Sequence, residues 1–293
     1  MPVIILVADG ARADAFDAGL AAGTLPALAR LRDEGGMHAV TTVFPSVTGP
    51  AYAPFLTGRF PGPIGLPGLR WYDRTRTRCR RPPYCRSYLS SEMRHMDGDL
   101  DAKVPTLFEL SPSRFHAMSM IGRGAARREQ LGRGLRLLLR IARTHWTGDV
   151  GGWLEIDRMI GRTAARRIRT RRPALSFIAL LGLDKTSHAS GHASPDALGA
   201  IRALDEMVAE LRHDAERHGV WEKTHLWIVS DHGHSAVHAH DDLATALRDD
   251  GHRVIAHPWI YARRPDAAVM VSGNAMAHIY LELAHRARPW WPA

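Results

Sequence analysis

The sequence predicts an α/β fold, a mostly parallel central sheet flanked by helices, and two patterns indicate it. Residues 3–8, 175–181 and 225–230 form short apolar runs, as expected for strands covered on both faces of a parallel sheet. Segments with helical spacing of apolar residues lie between them, which is typical of βαβ units. With 293 residues, 45% of them hydrophobic, the chain can bury one sizeable core. We therefore expect one domain over residues 1–293.

The first strand begins almost at the N-terminus and ends at Asp9. This terminus lacks the basic segment of a signal peptide, and the chain contains no run of ~18 apolar residues that would span a membrane. We therefore expect a cytoplasmic protein. Thr24 and Pro26 then supply a cap and a first-turn proline for a helix that stops at residues 35–36, which are both glycine.

Residues 38–58 predict a buried strand, a tight turn and a short helix. The strand is expected at residues 40–44, which are β-branched or aromatic. Pro50 can occupy the first helical position, and Gly58 can end the helix. Thr48 then lies at or beside the start of this helix. Its hydroxyl has two possible roles, an N-cap for a backbone N–H or a nucleophile beside an anion-binding helix end.

An Arg-rich insertion follows at residues 59–103, where we expect a long loop or a small lid. Seven arginines lie between residues 70 and 86. They could contact a phosphate-bearing substrate, with Trp71 as a platform on which a base stacks, or they could belong to a solvated loop. Both interpretations stay open at the level of sequence.

A second insertion is expected around residues 123–172, which contain fourteen arginines and four acidic residues. Four leucines with helical spacing form a stripe there: Leu131, Leu135, Leu138 and Leu139. A basic amphipathic helix can lie on a membrane, but such a stripe more often packs on its own domain. We expect packing on the domain and no membrane contact.

The charge and the cysteines limit the class of protein further. The formal charge of +9 and the isoelectric point near 10.2 favour anionic partners. Such partners include phosphate esters, nucleic acid and an acidic membrane surface, and a high arginine content without a steering role is an equal alternative. Cys79 and Cys85, the only two cysteines, make neither a disulfide framework nor a four-ligand zinc site.

Three of the apolar runs lead into an aspartate: Asp9, Asp184 and Asp231. Because the carboxyl ends of parallel strands lie at one edge of a sheet, these carboxylates are expected to converge. Close carboxylates repel each other unless a cation lies among them. His188 lies four residues beyond Asp184, and His232 directly follows Asp231. Carboxylate and imidazole together suit zinc or a similar metal.

These residues lie in four segments that resemble the alkaline phosphatase superfamily, and within it the nucleotide pyrophosphatase/phosphodiesterase branch. The segments are ILVADGAR (5–12), SVTGPAYAPFLTG (46–58), LDKTSHASG (183–191) and SDHG (230–233). As in the family's nucleophile segment, Thr48 precedes a Thr-Gly pair, at Thr57 and Gly58. The family's Asp-His-Gly is unchanged at residues 231–233. The glycine before the histidine of its Asp-x-x-Gly-His is Ser187 here.

The resemblance implies an alkaline-phosphatase-like fold and a hydrolase with two divalent metal ions, zinc being the expected element. One metal site would use Asp9, Thr48, Asp231 and His232, and the other would use Asp184, His188 and a further histidine. Metal contact would lower the pKa of the Thr48 hydroxyl, and the two cations would neutralise phosphoryl oxygens during an in-line displacement. A covalent phospho-threonine would form and then be hydrolysed. The implied substrates are phosphodiesters or nucleotide pyrophosphates, so we expect a small phosphate ester or a nucleotide as substrate and no specific nucleic-acid partner.

One departure from the family leaves the exact reaction open. The branch often has an asparagine three residues after the nucleophile, and this chain has Ala51. A donor to the phosphoryl oxygen is missing unless Tyr52 or a backbone N–H replaces it. Hydrolysis of a phosphomonoester or a phosphonate therefore stays open, as does a catalytically impaired member that binds nucleotides or acidic partners.

The third ligand beside Asp184 and His188 is a further departure. In relatives it is a histidine in a His-Gly segment well downstream, and no such pair occurs in the 61 residues after His232. The ending HRARPWWPA (285–293) also suggests no final strand or helix. These features predict a truncated or altered C-terminus and a weakly held second metal. A local alternative remains among the nearby histidines, which are His234, His238 and His240.

Overall fold

A computed structural model describes residues 1–76, 78–132, 134–273 and 275–284. Its strands are β1 (Val3–Ala8), β2 (Arg70–Tyr72), β3 (Cys85–Ser87), β4 (Arg114–Ala117), β5 (Gln130–Leu131), β6 (Leu175–Leu180), β7 (His225–Val229), β8 (Val254–Ala256), β9 (Ala267–Gly273) and β10 (Met276–Leu281). Its helices are α1 (Ala13–Ala21), α2 (Pro26–Gly35), α3 (Ala53–Thr57), α4 (Met96–Asp99), α5 (Leu107–Leu110), α6 (Leu135–Thr147), α7 (Val150–Arg171), α8 (Gly182–Ser190), α9 (Pro195–Arg217) and α10 (Leu243–Asp249). The chain forms two compact units. Unit 1 comprises residues 1–42, 55–57 and 105–236, and unit 2 comprises residues 43–54, 58–104 and 237–293.

Unit 1 is built on a five-stranded parallel sheet in the order β5-β4-β6-β1-β7. Strand β1 lies between β6 and β7, and its register aligns Val7 with Ala179 on one side and with Val229 on the other. Because these three strands end level, the residues that follow them emerge at the same edge. The predicted α/β class and parallel sheet are confirmed.

Helices α7, α8 and α9 pack against one another and contribute to the main core of unit 1. Ser194 caps α9, since its hydroxyl accepts the N–H of Ala197, and Pro195 occupies the first position. The predicted apolar face of α9 is buried at Ile201, Leu204, Val208 and Leu211. Local sequence signals therefore determined this helix well.

Unit 2 contains the sheet β10-β9-β8 and the antiparallel pair β2-β3. The prediction that residues 59–103 lie outside a core was wrong. Tyr72 packs with Ile255 and Met270. Trp71 is also buried, with the Arg86 guanidinium 4.7 Å from its ring centroid, so it is not an exposed stacking platform.

The strand predicted at residues 40–44 does not form. These residues have no regular secondary structure, and Val40 and Phe44 are 83% and 74% exposed. Their β-branched side chains lack the paired neighbour and the buried face that stabilise a strand. The short helix is present as a 3₁₀ turn at Pro50–Tyr52 followed by α3, and Gly58 ends it in the left-handed conformation.

The leucine stripe at residues 131–139 does not pack as predicted. Leu131 contacts the core from β5, but Leu135 and Leu139 on α6 are 72% and 61% exposed. Helix α6 packs instead through Leu137 and Ile141. Within the described chain, no helix is both long and apolar enough to cross a membrane.

Candidate active site

Three buried aspartates follow the ends of the central strands in unit 1. Asp9 comes directly after β1, Asp231 lies two residues after β7, and Asp184 lies in the first turn of α8, just beyond β6. Each is at most 3% exposed. The N–H of Gly10 donates to Oδ1 of Asp231 over 3.2 Å, which joins the β1 and β7 ends. The structure thus brings the three aspartates to one edge of the sheet.

The first cluster comprises Asp9, Asp231 and His232. One ligand atom of each lies within 4.8 Å of the others. The Nε2 atom of His232 is 3.5 Å from Oδ1 of Asp9 and 3.6 Å from Oδ2 of Asp231. Two carboxylates and an imidazole at these separations form a donor set that can hold a divalent cation.

The second cluster comprises Asp184, His188 and His234, and both histidines contact Oδ1 of Asp184. Because residues four apart share one helix face, His188 places its Nε2 3.1 Å from this oxygen. His234 places its Nε2 3.3 Å from the same oxygen. The rings of His188 and His234 are 4.7 Å apart between centroids and nearly perpendicular. Asp184, His232 and His234 also offer ligand atoms within 4.8 Å of one another.

Burial and neighbouring charges have opposite effects on the pKa values of the aspartates in these clusters. Burial would raise the pKa of Asp184, but contacts with His188, His234 and Lys185 outweigh it and hold the pKa well below its usual range. Lys185 donates from Nζ to Oδ2 of Asp184 over 2.8 Å. Burial raises the pKa of Asp231, although the charge of His232 opposes this rise. A cation bound among these aspartates would favour their ionised forms.

Two residues position these clusters and were missed at the level of sequence. Asp157, buried on α7, accepts the N–H groups of Leu181 and Gly182 over 3.1 and 2.6 Å, and so anchors the start of α8. Arg12 donates to the backbone oxygen of His234 and pairs with Asp14. The resemblance segment contains Arg12, which was a signal for it, whereas no local pattern distinguishes Asp157 from other helical acids.

Thr48 lies in unit 2, on the turn before the 3₁₀ segment Pro50–Tyr52. The N-cap residue of that segment is Gly49, whose φ of +96° suits glycine, so Thr48 lies one position before the N-cap. Ala51, in the place of the family's asparagine, is 2% exposed. The N–H groups of Ala51 and Tyr52 bond to the oxygens of Val47 and Gly49, so local turn bonds occupy both.

Of the other histidines in the segment after β7, His238 and His240 are exposed, whereas the His234 side chain is only 10% exposed. Residues 285–293, which include His285 and the ending that predicted truncation, lie outside the described residues.

Two buried polar atoms in these clusters lack a hydrogen bond among the described residues, which is expected of atoms that would bind a divalent metal. Oδ2 of Asp231 and Nε2 of His234 are buried, and neither makes a hydrogen bond within the described part of the chain. A buried polar atom without a hydrogen bond is costly, and a coordinated metal would satisfy it. The carboxylate and imidazole donors are those that zinc and similar metals prefer.

A comparison with models of known protein families identifies the family of this chain. The model of the type I phosphodiesterase / nucleotide pyrophosphatase family matches residues 3–288. No curated protein matches the sequence.

Solved structures share the fold at low sequence identity. Human ectonucleotide pyrophosphatase/phosphodiesterase 5 is 16% identical, with a TM-score of 0.59 over 97% of this chain and 67% of its own. A mouse counterpart is 18% identical, with a TM-score of 0.59 over 100% and 71%. Phosphonoacetate hydrolase from Sinorhizobium meliloti 1021, in complex with phosphonoacetate, is 17% identical, with a TM-score of 0.61 over 85% of this chain. This chain spans only 62% of that hydrolase chain.

Proposed function

The chain belongs to the type I phosphodiesterase / nucleotide pyrophosphatase family, and from this premise we propose that it hydrolyses phosphodiester or nucleotide pyrophosphate bonds in a metal-dependent reaction. The observation that carries the proposal is the convergence of Asp9, Asp184 and Asp231, with their histidines, at the ends of β1, β6 and β7. Ligands of parallel α/β sheets bind at this edge.

Two divalent metal ions, with zinc the expected element, would be held by these residues. Asp9, Asp231 and His232 would hold one ion together with Thr48, and Asp184 and His188 would hold the other. When bound, the metals supply Lewis acidity and positive charge, which favour the ionised hydroxyl and the charge that develops on a phosphoryl group.

Thr48 would be the nucleophile. Its hydroxyl would give its proton to solvent, its oxygen would form a bond to phosphorus, and the bond from phosphorus to the leaving oxygen would break, with that oxygen taking up a proton from solvent. Water would then attack the phospho-threonine, its hydroxide part bonding to phosphorus and its proton restoring the threonine hydroxyl as the phosphate product leaves. The turn around Gly49 and Pro50 keeps this hydroxyl on a rigid segment, because backbone bonds from Ala51 and Tyr52 close the turn.

The substrate class can be tested with a panel of three compounds. A nitrophenyl phosphodiester of a nucleoside, nitrophenyl phosphate and phosphonoacetate represent a diester, a monoester and a phosphonate. We expect turnover of the diester to exceed that of the other two, to fall after chelation and to recover with zinc. Turnover of phosphonoacetate alone would instead assign the chain to phosphonate hydrolysis, which the fold of the Sinorhizobium meliloti enzyme also supports.

The nucleophile is tested by Thr48→Ala. Removing a nucleophile is expected to lower kcat by several orders of magnitude, roughly 10⁴-fold or more, while the free energy of unfolding changes little. Ser46→Ala is the matched control, since it removes an exposed hydroxyl from the same turn. Activity of Thr48→Ala above a few per cent of the parent would show that another group attacks phosphorus.

A further inference from the structure

We propose that His234 is the third protein ligand of the second metal, together with Asp184 and His188. The inference rests on the proposed metal-dependent function. Its consequence is that the second site is completed by a residue two positions after His232, without a histidine from later in the chain.

The distances around Asp184 match those of a tetrahedral site. Donors that bind zinc at 2.0–2.1 Å lie roughly 3.3 Å from one another in tetrahedral geometry. Nε2 of His188 and Nε2 of His234 are 3.1 and 3.3 Å from Oδ1 of Asp184. The rings of His188 and His234 meet edge to face, with their centroids 4.7 Å apart, so both imidazoles lie beside the same carboxylate oxygen.

The burial of the His234 ring and the hydrogen bond that it lacks among the described residues argue against a role limited to side-chain packing. Its Nε2 is buried and makes no hydrogen bond within the described residues, although it faces a carboxylate oxygen. An imidazole that served only to pair with Asp184 would align its N–H on that oxygen. A metal held jointly by the nitrogen and the oxygen accounts for both their closeness and the missing hydrogen bond.

The surrounding residues hold His234 in this place. Arg12 donates to its backbone oxygen. Gly10 leaves the room for its ring, because a Cβ on Gly10 would lie 2.5 Å from Nε2 of His234. Gly10 has a φ of +74°, a conformation that glycine adopts without strain. Two features of the segment after β1, the bond from Arg12 and the absent side chain of Gly10, therefore favour one position of the imidazole.

The test is the metal content and affinity of the purified full chain, with Zn²⁺ and spectroscopically visible Co²⁺ as probes. We expect the parent to bind two ions. His234→Ala is expected to keep one tight ion and to lose affinity for the second by at least 10-fold, with a change in the Co²⁺ absorption bands. His238→Ala, which removes an exposed histidine from the same segment, is expected to bind metal as the parent does.

His234→Cys provides a rescue, because a thiolate is also a zinc ligand, and it should retain the second ion better than His234→Ala. Circular dichroism of each metal-free variant identifies a folding defect. If His234→Ala fails to fold, the affinity of His234→Cys for the second ion tests the inference instead. Two ions held by His234→Ala with parental affinity, or a parent whose metal binding is independent of residue 234, would overturn the inference. If the second ion depends on His234 but no phosphate ester is hydrolysed, the proposed function fails and the ligand assignment stands.

Discussion

Gly10→Ala tests the packing that places His234 beside Asp184. Gly10 has a φ of +74°, and its added Cβ would lie 2.5 Å from Nε2 of His234 and 3.2 Å from Cα of Asp184. An L-residue in the left-handed region costs about 1–2 kcal/mol. The ring of His234 must also move, and a side chain forced off its preferred rotamer costs about 1 kcal/mol. We expect the free energy of unfolding of the metal-free protein to fall by about 2–3 kcal/mol in total.

Two matched glycines separate the causes of this loss. Gly148 also has a positive φ, +64°, in the left-handed conformation, but no atom lies within 4 Å of its added Cβ, so Gly148→Ala should cost only the backbone strain of about 1–2 kcal/mol. Gly233 lies in the same site, and its Cβ would be 3.4 Å from the Arg12 side chain, so Gly233→Ala should stay within roughly 0.5 kcal/mol of the parent.

The assay is urea unfolding of chelator-treated protein, followed by circular dichroism and extrapolated to water. The order of loss should be Gly10→Ala, then Gly148→Ala, then Gly233→Ala. Gly10→Ala should also weaken binding of the second metal, and Gly148→Ala should not. Equal losses for Gly10→Ala and Gly148→Ala would refute the crowding of the His234 ring on which the reasoning depends.

Two further predictions concern unit 1. Burial raises the pKa of Asp157 from 3.8 to about 7, so the folded state binds this proton more tightly than the unfolded state does. The free energy of unfolding should therefore fall as pH rises from about 4 to 7, by at most ~1.4 kcal/mol per unit. Asp157→Asn should flatten this slope in urea titrations, and a slope as steep as the parent's would contradict the assignment. On α6, Leu139→Gln should change stability by less than about 0.5 kcal/mol and Leu137→Gln should cost about 1–2 kcal/mol; equal costs would mean that the exposed stripe packs after all.

Much of the fold could be predicted from the sequence because its signals are local. Buried parallel strands such as β1 and β6 are continuous apolar runs in the sequence. Helix α9 can be predicted from the cap residue Ser194, the first-turn Pro195 and the helical spacing of its apolar residues. The wrong strand at residues 40–44 shows the limit of that reasoning. β-branched residues favour a strand only where a neighbouring strand pairs with them, and propensity does not reveal the neighbour.

The stripe on α6 failed for a related reason. Helical spacing shows which leucines share a face, but α6 also has apolar residues outside the predicted stripe. Leu137 and Ile141 pack because they face the core of unit 1, which the helix sequence does not reveal. Similarly, the high arginine content of residues 59–103 allowed a solvated loop as one interpretation of this segment. It folds because Trp71 and Tyr72 on β2 are buried within unit 2.

The residue types of the candidate site could be predicted from local patterns. Aspartates after apolar strands, Thr48 before a glycine turn and the pair Asp231-His232 are such patterns, and strand order in an α/β sheet brings such ends to one edge. Local patterns do not distinguish His234 from His238 and His240, which follow β7 in the same segment. In the folded chain the His234 nitrogen lies 3.3 Å from Asp184. Arg12 donates to the backbone oxygen of His234, and Gly10 leaves room for its ring. These contacts join the ends of different strands, so no single segment of the sequence contains them.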